Sequence, residues 1–273
     1  MTIPINANAL KTIVYQSYRT HDVADWLQHC MRSTQSWAAA QGFDYRFIDD
    51  RFFDCVPDWY RRGAGGNLQV LANLARIVVA KQLLGAGYDR TIWIDADVLV
   101  FDPQSFKIGI SSEFAFCREV WMTSRWGAAV KAFRVNNSVT VFVKDNSFID
   151  FAIWAHEDLV RRGTQILSHG TTTRLLTALH HATPLPLLDN VGLLSPIVAR
   201  AIVSREGALA REYAAAHGTP IYAANLGASL RGVTWNGVTL ADSTFDFIVD
   251  VLDKDRGAIF NDVFAADPLP PSF

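Results

Sequence analysis

Within its first hundred residues the chain sets three strand-like runs around two helical ones, and this alternation narrows the fold more than any other feature. Residues 12–18 (TIVYQSY) are β-branched and aromatic, and apolar residues recur at helical spacing from 22 to 41, with Gly42 just beyond as a stop. Residues 43–48 (FDYRFI) alternate as a second strand and close a β-α-β unit, which implies a parallel sheet with a right-handed crossover. The stretch 52–66 (FFDCVPDWYRRGAGG) is aromatic, basic and glycine-rich, and reads as a surface loop. A helix is predicted from about 67 to Gly85 or Gly87, burying Leu68, Leu71, Leu74, Ala75 and Val78, and a third strand follows at 91–94. The predicted fold class is α/β, a mixed and mainly parallel sheet flanked by helices.

Beyond this opening lie a short apolar segment at 98–101, an Asp-Pro turn, a strand near 114–117, a tryptophan-rich stretch at 121–126 and a strand at 138–143. Helices are predicted at 148–161, 171–181 and 195–217, then a strand near 220–223 and a polar tail. No repeat, low-complexity segment or linker divides the 273 residues, so one domain is expected. A content of 50% hydrophobic residues is enough for one sizeable core. The formal charge of −2, with 25 basic and 27 acidic residues spread along the chain, offers no broad basic field, and nucleic acid is not an expected partner. No membrane span is expected, since no stretch approaches about 18 uncharged apolar residues, and the expected location is cytoplasmic. Cys30, Cys55 and Cys117 form no CxxC pair and read as ordinary thiols of a reducing compartment.

The sharpest chemical signal is YDRTIWIDADVLVFDP, in which an apolar strand delivers Asp95 and Asp97 at its carboxyl end. Residues i and i+2 of extended chain share a side, so the two carboxylates are expected to face one point. Open α/β sheets bind ligands at the carboxyl ends of their strands. Two carboxylates there lose hydration and repel one another unless a cation offsets them. Mg2+ or Mn2+ takes oxygen ligands from a few carboxylates together with substrate phosphates, so a nucleotide diphosphate is the expected partner. The bland reading of such a pair is a turn or a helix cap.

The block from 74 to 101, LARIVVAKQLLGAGYDRTIWIDADVLVF, resembles the donor-binding core of GT-A glycosyltransferases, particularly the retaining type that includes glycogenin and bacterial lipopolysaccharide galactosyltransferases. The resemblance extends over roughly residues 11–180. It implies a Rossmann-like GT-A fold, with 11–101 as the nucleotide-binding half and 102–273 as the acceptor half. By this resemblance Arg76 contacts the donor, with Lys81 on the same helix, and Asp95 and Asp97, with Ala96 between them, bind metal, diphosphate and ribose. TIVYQSYRT is similar to the strand and loop that hold the base, which makes Tyr15, Gln16 and Ser17 the base-side candidates. RVNNSVTVFVKD is similar to the segment whose asparagine approaches the sugar, so Asn137, with Asn136 beside it, joins Asp97 and Arg76 as catalytic candidates. The implied partners are a UDP- or GDP-type nucleotide sugar, Mn2+ or Mg2+, and a hydroxyl acceptor that is a saccharide, lipid precursor or small molecule. Two features depart from the pattern. SHGTTTRLLTALHH stands where the family carries an Asp-Gln pair, and ANLGAS stands where it supplies a metal-binding histidine, which leaves Asn225 as a weak carbonyl ligand.

His169 reads as a surface histidine or a donor-pocket residue. Trp121, Arg125 and Trp126 read as an acceptor platform or as core members. Two rival functions share the acid pair: a haloacid-dehalogenase-like phosphatase, in which one aspartate is the nucleophile, and a GT-A-like protein that binds nucleotide sugar without transferring it. A sugar-phosphate nucleotidyltransferase lacks support, because YQSYRT holds no glycine-rich loop.

Overall fold

A computed structural model describes residues 10–125, 128–163, 171–235 and 237–265. Strand β1 (Thr12–Ser17) pairs in parallel with β2 (Asp44–Ile48) on one side and β3 (Arg90–Ile94) on the other. The chain then leaves the main sheet through β4 (Val98–Val100) and returns as a long hairpin, β5 (Phe114–Arg125) and β6 (Ala128–Val143). β6 runs antiparallel to both β3 and β5, and β7 (Leu187–Leu188) lies parallel to β5 at the edge. The main sheet therefore has the order β2-β1-β3-β6-β5-β7. A small second sheet joins β4 to β9 (Ala223–Asn225) and β8 (Val191–Leu193). A hairpin of β10 (Thr234–Trp235) and β11 (Val238–Thr239) completes the strands among the described residues.

The helices are α1 (Asp25–Ala40), α2 (Asp58–Gly63), α3 (Leu68–Gly85), α4 (Ile149–Arg161), α5 (Thr171–Ala182), α6 (Pro196–Val203), α7 (Gly207–His217), α8 (Asp242–Asp255) and α9 (Ala258–Ala265). In α1 the buried residues Trp26, Leu27, Cys30, Thr34, Trp37 and Ala38 recur at three- and four-residue intervals, the spacing of one helix face. Gly42, at φ +71°, lets the chain turn back into β2. β3 is buried along its whole length, which explains its unbroken apolar run. Asn67 caps α3, its side-chain oxygen accepting the N–H groups of Gln69 at 3.1 Å and Val70 at 3.3 Å. Among the described residues, α3 is the helix long and apolar enough by composition to cross a membrane; 56% of it is buried, against β3, α4 and the turn at 50–55.

Five expectations are corrected. The stretch 52–66 is a short 3-10 turn (Asp50–Cys55) followed by α2, and it contributes to the core: Phe52 is 2% exposed and stacks on Trp93 with ring centroids 5.2 Å apart. Its aromatics were read by composition, but burial was available to them beneath α3. Leu68 is not on the buried stripe; it is 64% exposed at the mouth of a cleft, and Val78 is only partly buried. The tryptophan-rich stretch is the outer half of β5, with a bulge between Ala115 and Cys117. The polar tail holds α8 and α9, which bury Phe245, Ile248, Leu252 and Phe260. The helical region 195–217 is divided at Arg205, whose φ of +54° no helix accommodates.

Strand order reverses at β1, since the chain adds β2 to one side and then β3 to the other. The carboxyl ends of β1 and β3 flank that switch point, where α/β sheets open a crevice.

Candidate functional site

β3 ends at Ile94, and the next four residues form a turn in which the Val98 N–H donates to the Asp95 carbonyl at 3.1 Å. The carboxylates of Asp95 and Asp97 thus reach one cleft because a turn separates two sheets, not because an extended strand alternates. β4, paired with β9, brings Asn225 opposite Val98 and so beside Asp97.

Asp95 Oδ1 accepts from Trp93 Nε1 at 2.6 Å and lies 3.1 Å from Arg76 Nη1. Among the described residues its second oxygen has no partner, and the side chain is 25% exposed. Asp97 Oδ1 accepts from Asn225 Nδ2 at 2.9 Å, and its Oδ2 from the Ala228 N–H at 2.7 Å. Desolvation raises the pKa of both acids. For Asp97, the charge of Asp95 adds to burial and pushes the value up to about 6. Two acids facing one arginine leave the turn with excess negative charge.

Arg76 is buried on α3, its Nη1 donating to the Asn137 carbonyl at 2.9 Å and its guanidinium carbon lying 5.0 Å from the Trp93 ring centre. Asn137 Nδ2 donates to Asn73 Oδ1 at 3.2 Å, and Asn136 Nδ2 donates to Glu119 Oε2 at 2.9 Å. Arg76, Asp95, Asn136 and Asn137 all line one lobe of the cleft, of about 480 Å3. A second lobe of about 380 Å3 extends toward the end of β1, past Ser17, Tyr18, Arg19 and Asp50, with Ala96 in its wall. A third, of about 260 Å3, lies between Asp97 and Leu230. Gln69 and Asp95 stand in the walls of all three.

Of the three base-side candidates only Ser17 lines the cleft. Tyr15 is enclosed, its hydroxyl donating to the Arg76 carbonyl at 2.6 Å, and burial raises its pKa. Gln16 is enclosed as well, its Nε2 donating to the Asp95 carbonyl at 3.1 Å while its Oε1 accepts from Tyr45 at 3.0 Å. Both are packed behind the cleft and do not line it. Asn225 is also corrected: its Oδ1 accepts the Gly227 N–H at 2.8 Å and its amide nitrogen faces Asp97, so it orients that acid and presents no free carbonyl oxygen. Lys81 pairs with Asp150 on the exposed side of α3, away from the cleft. His169 and Trp126 lie outside the described residues, as does the side chain of Arg125, whereas Trp121 lines the cleft.

Sequence reading missed Glu119. Its side chain is 4% exposed, accepts from Asn136, and stands 3.5 Å from Arg134 Nη1 in the wall of the largest lobe. Desolvation raises its pKa against the lowering effects of Asn136 and Arg134. The available signal was a glutamate in the apolar alternation of FAFCREVWM, which β5 turns toward the cleft.

Fold and site together define an α/β protein with an acidic, arginine-backed cleft at a sheet switch point. No protein-family model matches the sequence, and neither does any curated protein. Among solved structures the chain is similar to a glycosyltransferase involved in the glycosylation of the major capsid of PBCV-1. Identity is 8%, coverage 88% of this chain and 98% of that one, and the TM-score 0.48. It is also similar to the glycosyltransferase GlyE of Streptococcus pneumoniae TIGR4, at 12% identity and a TM-score of 0.40, covering 94% of this chain and 64% of GlyE. A third match is an active-site mutant of LgtC, at 12% identity and a TM-score of 0.39, covering 90% of this chain and 99% of that one.

Proposed function

We propose that the protein is a metal-dependent glycosyltransferase that moves a sugar from a UDP- or GDP-type nucleotide sugar to a hydroxyl acceptor with retention of configuration. The observation that carries this reading is the pair of poorly solvated carboxylates, Asp95 and Asp97, facing one cleft with a single arginine, the buried Arg76, paired to Asp95. Their all-oxygen donor set and surplus negative charge fit Mg2+ or Mn2+. Asp95, through its unpartnered oxygen, and Asp97 would hold the ion, which supplies charge neutralisation for a diphosphate leaving group.

The side chains do the rest. Asn225 and the Ala228 N–H keep Asp97 turned to the cleft, and Trp93 and Arg76 do the same for Asp95. Arg76 adds a fixed positive charge where charge builds as the glycosidic bond breaks; preorganised charge of this kind requires no reorganisation at the moment of reaction. The 380 Å3 lobe, between the ends of β1 and β2, receives the nucleoside, with Ser17 in its wall. The 480 Å3 lobe receives the sugar beside Asn137. As the sugar C1–O bond to phosphate breaks, a C1–O bond to the acceptor forms, and the acceptor proton passes to the leaving phosphate. The nucleotide half (11–101) and acceptor half (102–273) meet at this cleft, with β4 and β9 joining them.

The test is a thermal-shift screen of UDP, GDP and their sugar conjugates with and without Mn2+, followed by donor hydrolysis. A metal-dependent rise in Tm with one nucleotide class, plus turnover that Asp97→Ala abolishes, is the expected result. Binding without turnover would make the protein a nucleotide-sugar receptor, and hydrolysis of a plain aryl phosphate would make it a phosphatase.

A further inference from the structure

We propose that the cleft-side face of the β5–β6 arm is a saccharide subsite, in which Trp121 is the stacking platform and Glu119 the carboxylate that receives an acceptor hydroxyl. The inference rests on the transfer reading and supplies its acceptor class.

Strand alternation selects the residues. Across the β5–β6 ladder Glu119 stands opposite Arg134 and Trp121 opposite Ala132. Val120 and Met122 point the other way, into the core with α6 and α7. Glu119 and Trp121 therefore share the face that looks into the cleft, two residues apart. Trp121 borders both the 480 Å3 lobe and the 260 Å3 lobe beside Asp97, so a ligand lying on its ring reaches toward the acid pair. Ala132 stands opposite Trp121 in the ladder, and the Arg134 guanidinium lies over one face of the indole, which leaves the other face for a ligand.

The chemistry of the lobe matches a sugar. A carboxylate has about four acceptor positions. Asn136 and Arg134 supply two donors to Glu119, and a buried acid with open acceptor capacity calls for further donors. Hydroxyls supply these. Arg134 is engaged by Glu119 and also lies 5.8 Å from the Trp121 ring centre, so the local charge is nearly balanced and the preferred guest is neutral. An aromatic face beside hydroxyl acceptors is the pairing that a pyranose, with an apolar C–H face and a hydroxyl rim, satisfies.

The experiment applies the fluorescently labelled full chain to an array of neutral and acidic glycans, with Mn2+ present, comparing wild type with Trp121→Ala, Trp121→Phe and Glu119→Gln. Melting with Mn2+ and UDP or GDP is measured in parallel as a readout of the donor site. Wild type is expected to retain neutral glycans, Trp121→Ala and Glu119→Gln to bind them roughly tenfold more weakly, the scale of one lost stacking or charged hydrogen-bond contact, and Trp121→Phe to keep most binding. The nucleotide shift is expected to be unchanged in all three variants, which also certifies their folds. Wild type that binds no glycan, or Trp121→Ala and Glu119→Gln that both bind like wild type, overturns the subsite. The glycan pattern without any nucleotide shift upholds the subsite and overturns the transfer reading instead.

Discussion

The β3–β4 turn and the β5–β6 arm each place a poorly solvated carboxylate in the same cleft, yet they compensate it differently. At the turn, Asp95 and Asp97 share one guanidinium, and the remaining charge is met by an indole, a carboxamide and one backbone N–H. On the arm, Glu119 has an arginine and an asparagine to itself. The first region is left short of positive charge, which is why a cation is proposed there; the second is nearly neutral, which is why hydroxyl donors are proposed there. A buried carboxylate does not by itself identify its ligand, and the local charge balance does.

The largest effect that separates the two regions is expected from Asp97→Ala. It should lower Mn2+-dependent turnover of the nucleotide sugar by about 10²- to 10³-fold, the scale of losing one preorganised electrostatic group, while glycan binding by the arm stays within a factor of two of wild type, roughly the noise of a surface site. Equal losses in both assays would mean that the regions act as one. Arg76→Met removes the turn's one arginine and leaves Asp95 facing Asp97 uncompensated. Turnover should fall about 10²-fold, and urea unfolding should show a loss of about 2 kcal/mol, below the 3–5 kcal/mol of a fully buried pair because Asp95 is partly solvated.

A smaller and pH-dependent effect sharpens the contrast. With its pKa raised from 3.8 to about 6, folded Asp97 binds its proton more tightly than the unfolded chain does between these values. Stability of the metal-free protein should therefore fall as pH rises from about 4 to 6 and stay lower above that window. Asp97→Asn removes this dependence, so it should melt above wild type at pH 7, by up to about 3 kcal/mol, with the difference vanishing near pH 4. An unchanged gap across that range would contradict the charge deficit assigned to the turn. The smallest effect belongs to Tyr15→Phe, which loses only the bond to the Arg76 carbonyl. It should cost about 1 kcal/mol in denaturant melts without altering which nucleotide raises Tm; a switch in nucleotide preference would return Tyr15 to the base contacts.

The acid pair was legible because a buried strand that ends in two aspartates conflicts with its own apolar pattern, and such conflicts mark sites. Arg76 was legible only through resemblance. Glu119 was not, because the strand around it was read as ending near residue 117, and without the hairpin's register nothing tells which way its side chain turns. Tyr15 and Gln16 are read as base contacts from their place near the end of β1, and only the packed structure shows that both side chains are enclosed.

Local pattern alone determined the β-α-β opening, the cap at Asn67, the apolar course of β3 and the position of Asp95 and Asp97 at its end, because these depend on periodicity and on interactions between near neighbours. Tertiary structure decided the antiparallel insertion of β6 beside β3, the burial of Phe52 and Tyr60, the capture of Asp97 by Asn225 and Ala228, and the delivery of Glu119 and Trp121 to the cleft. The physical reason is separation along the chain: Asp97 and Asn225 are 128 positions apart, and a hydrogen bond across that distance follows from the pairing of β4 with β9, which no local window of sequence contains.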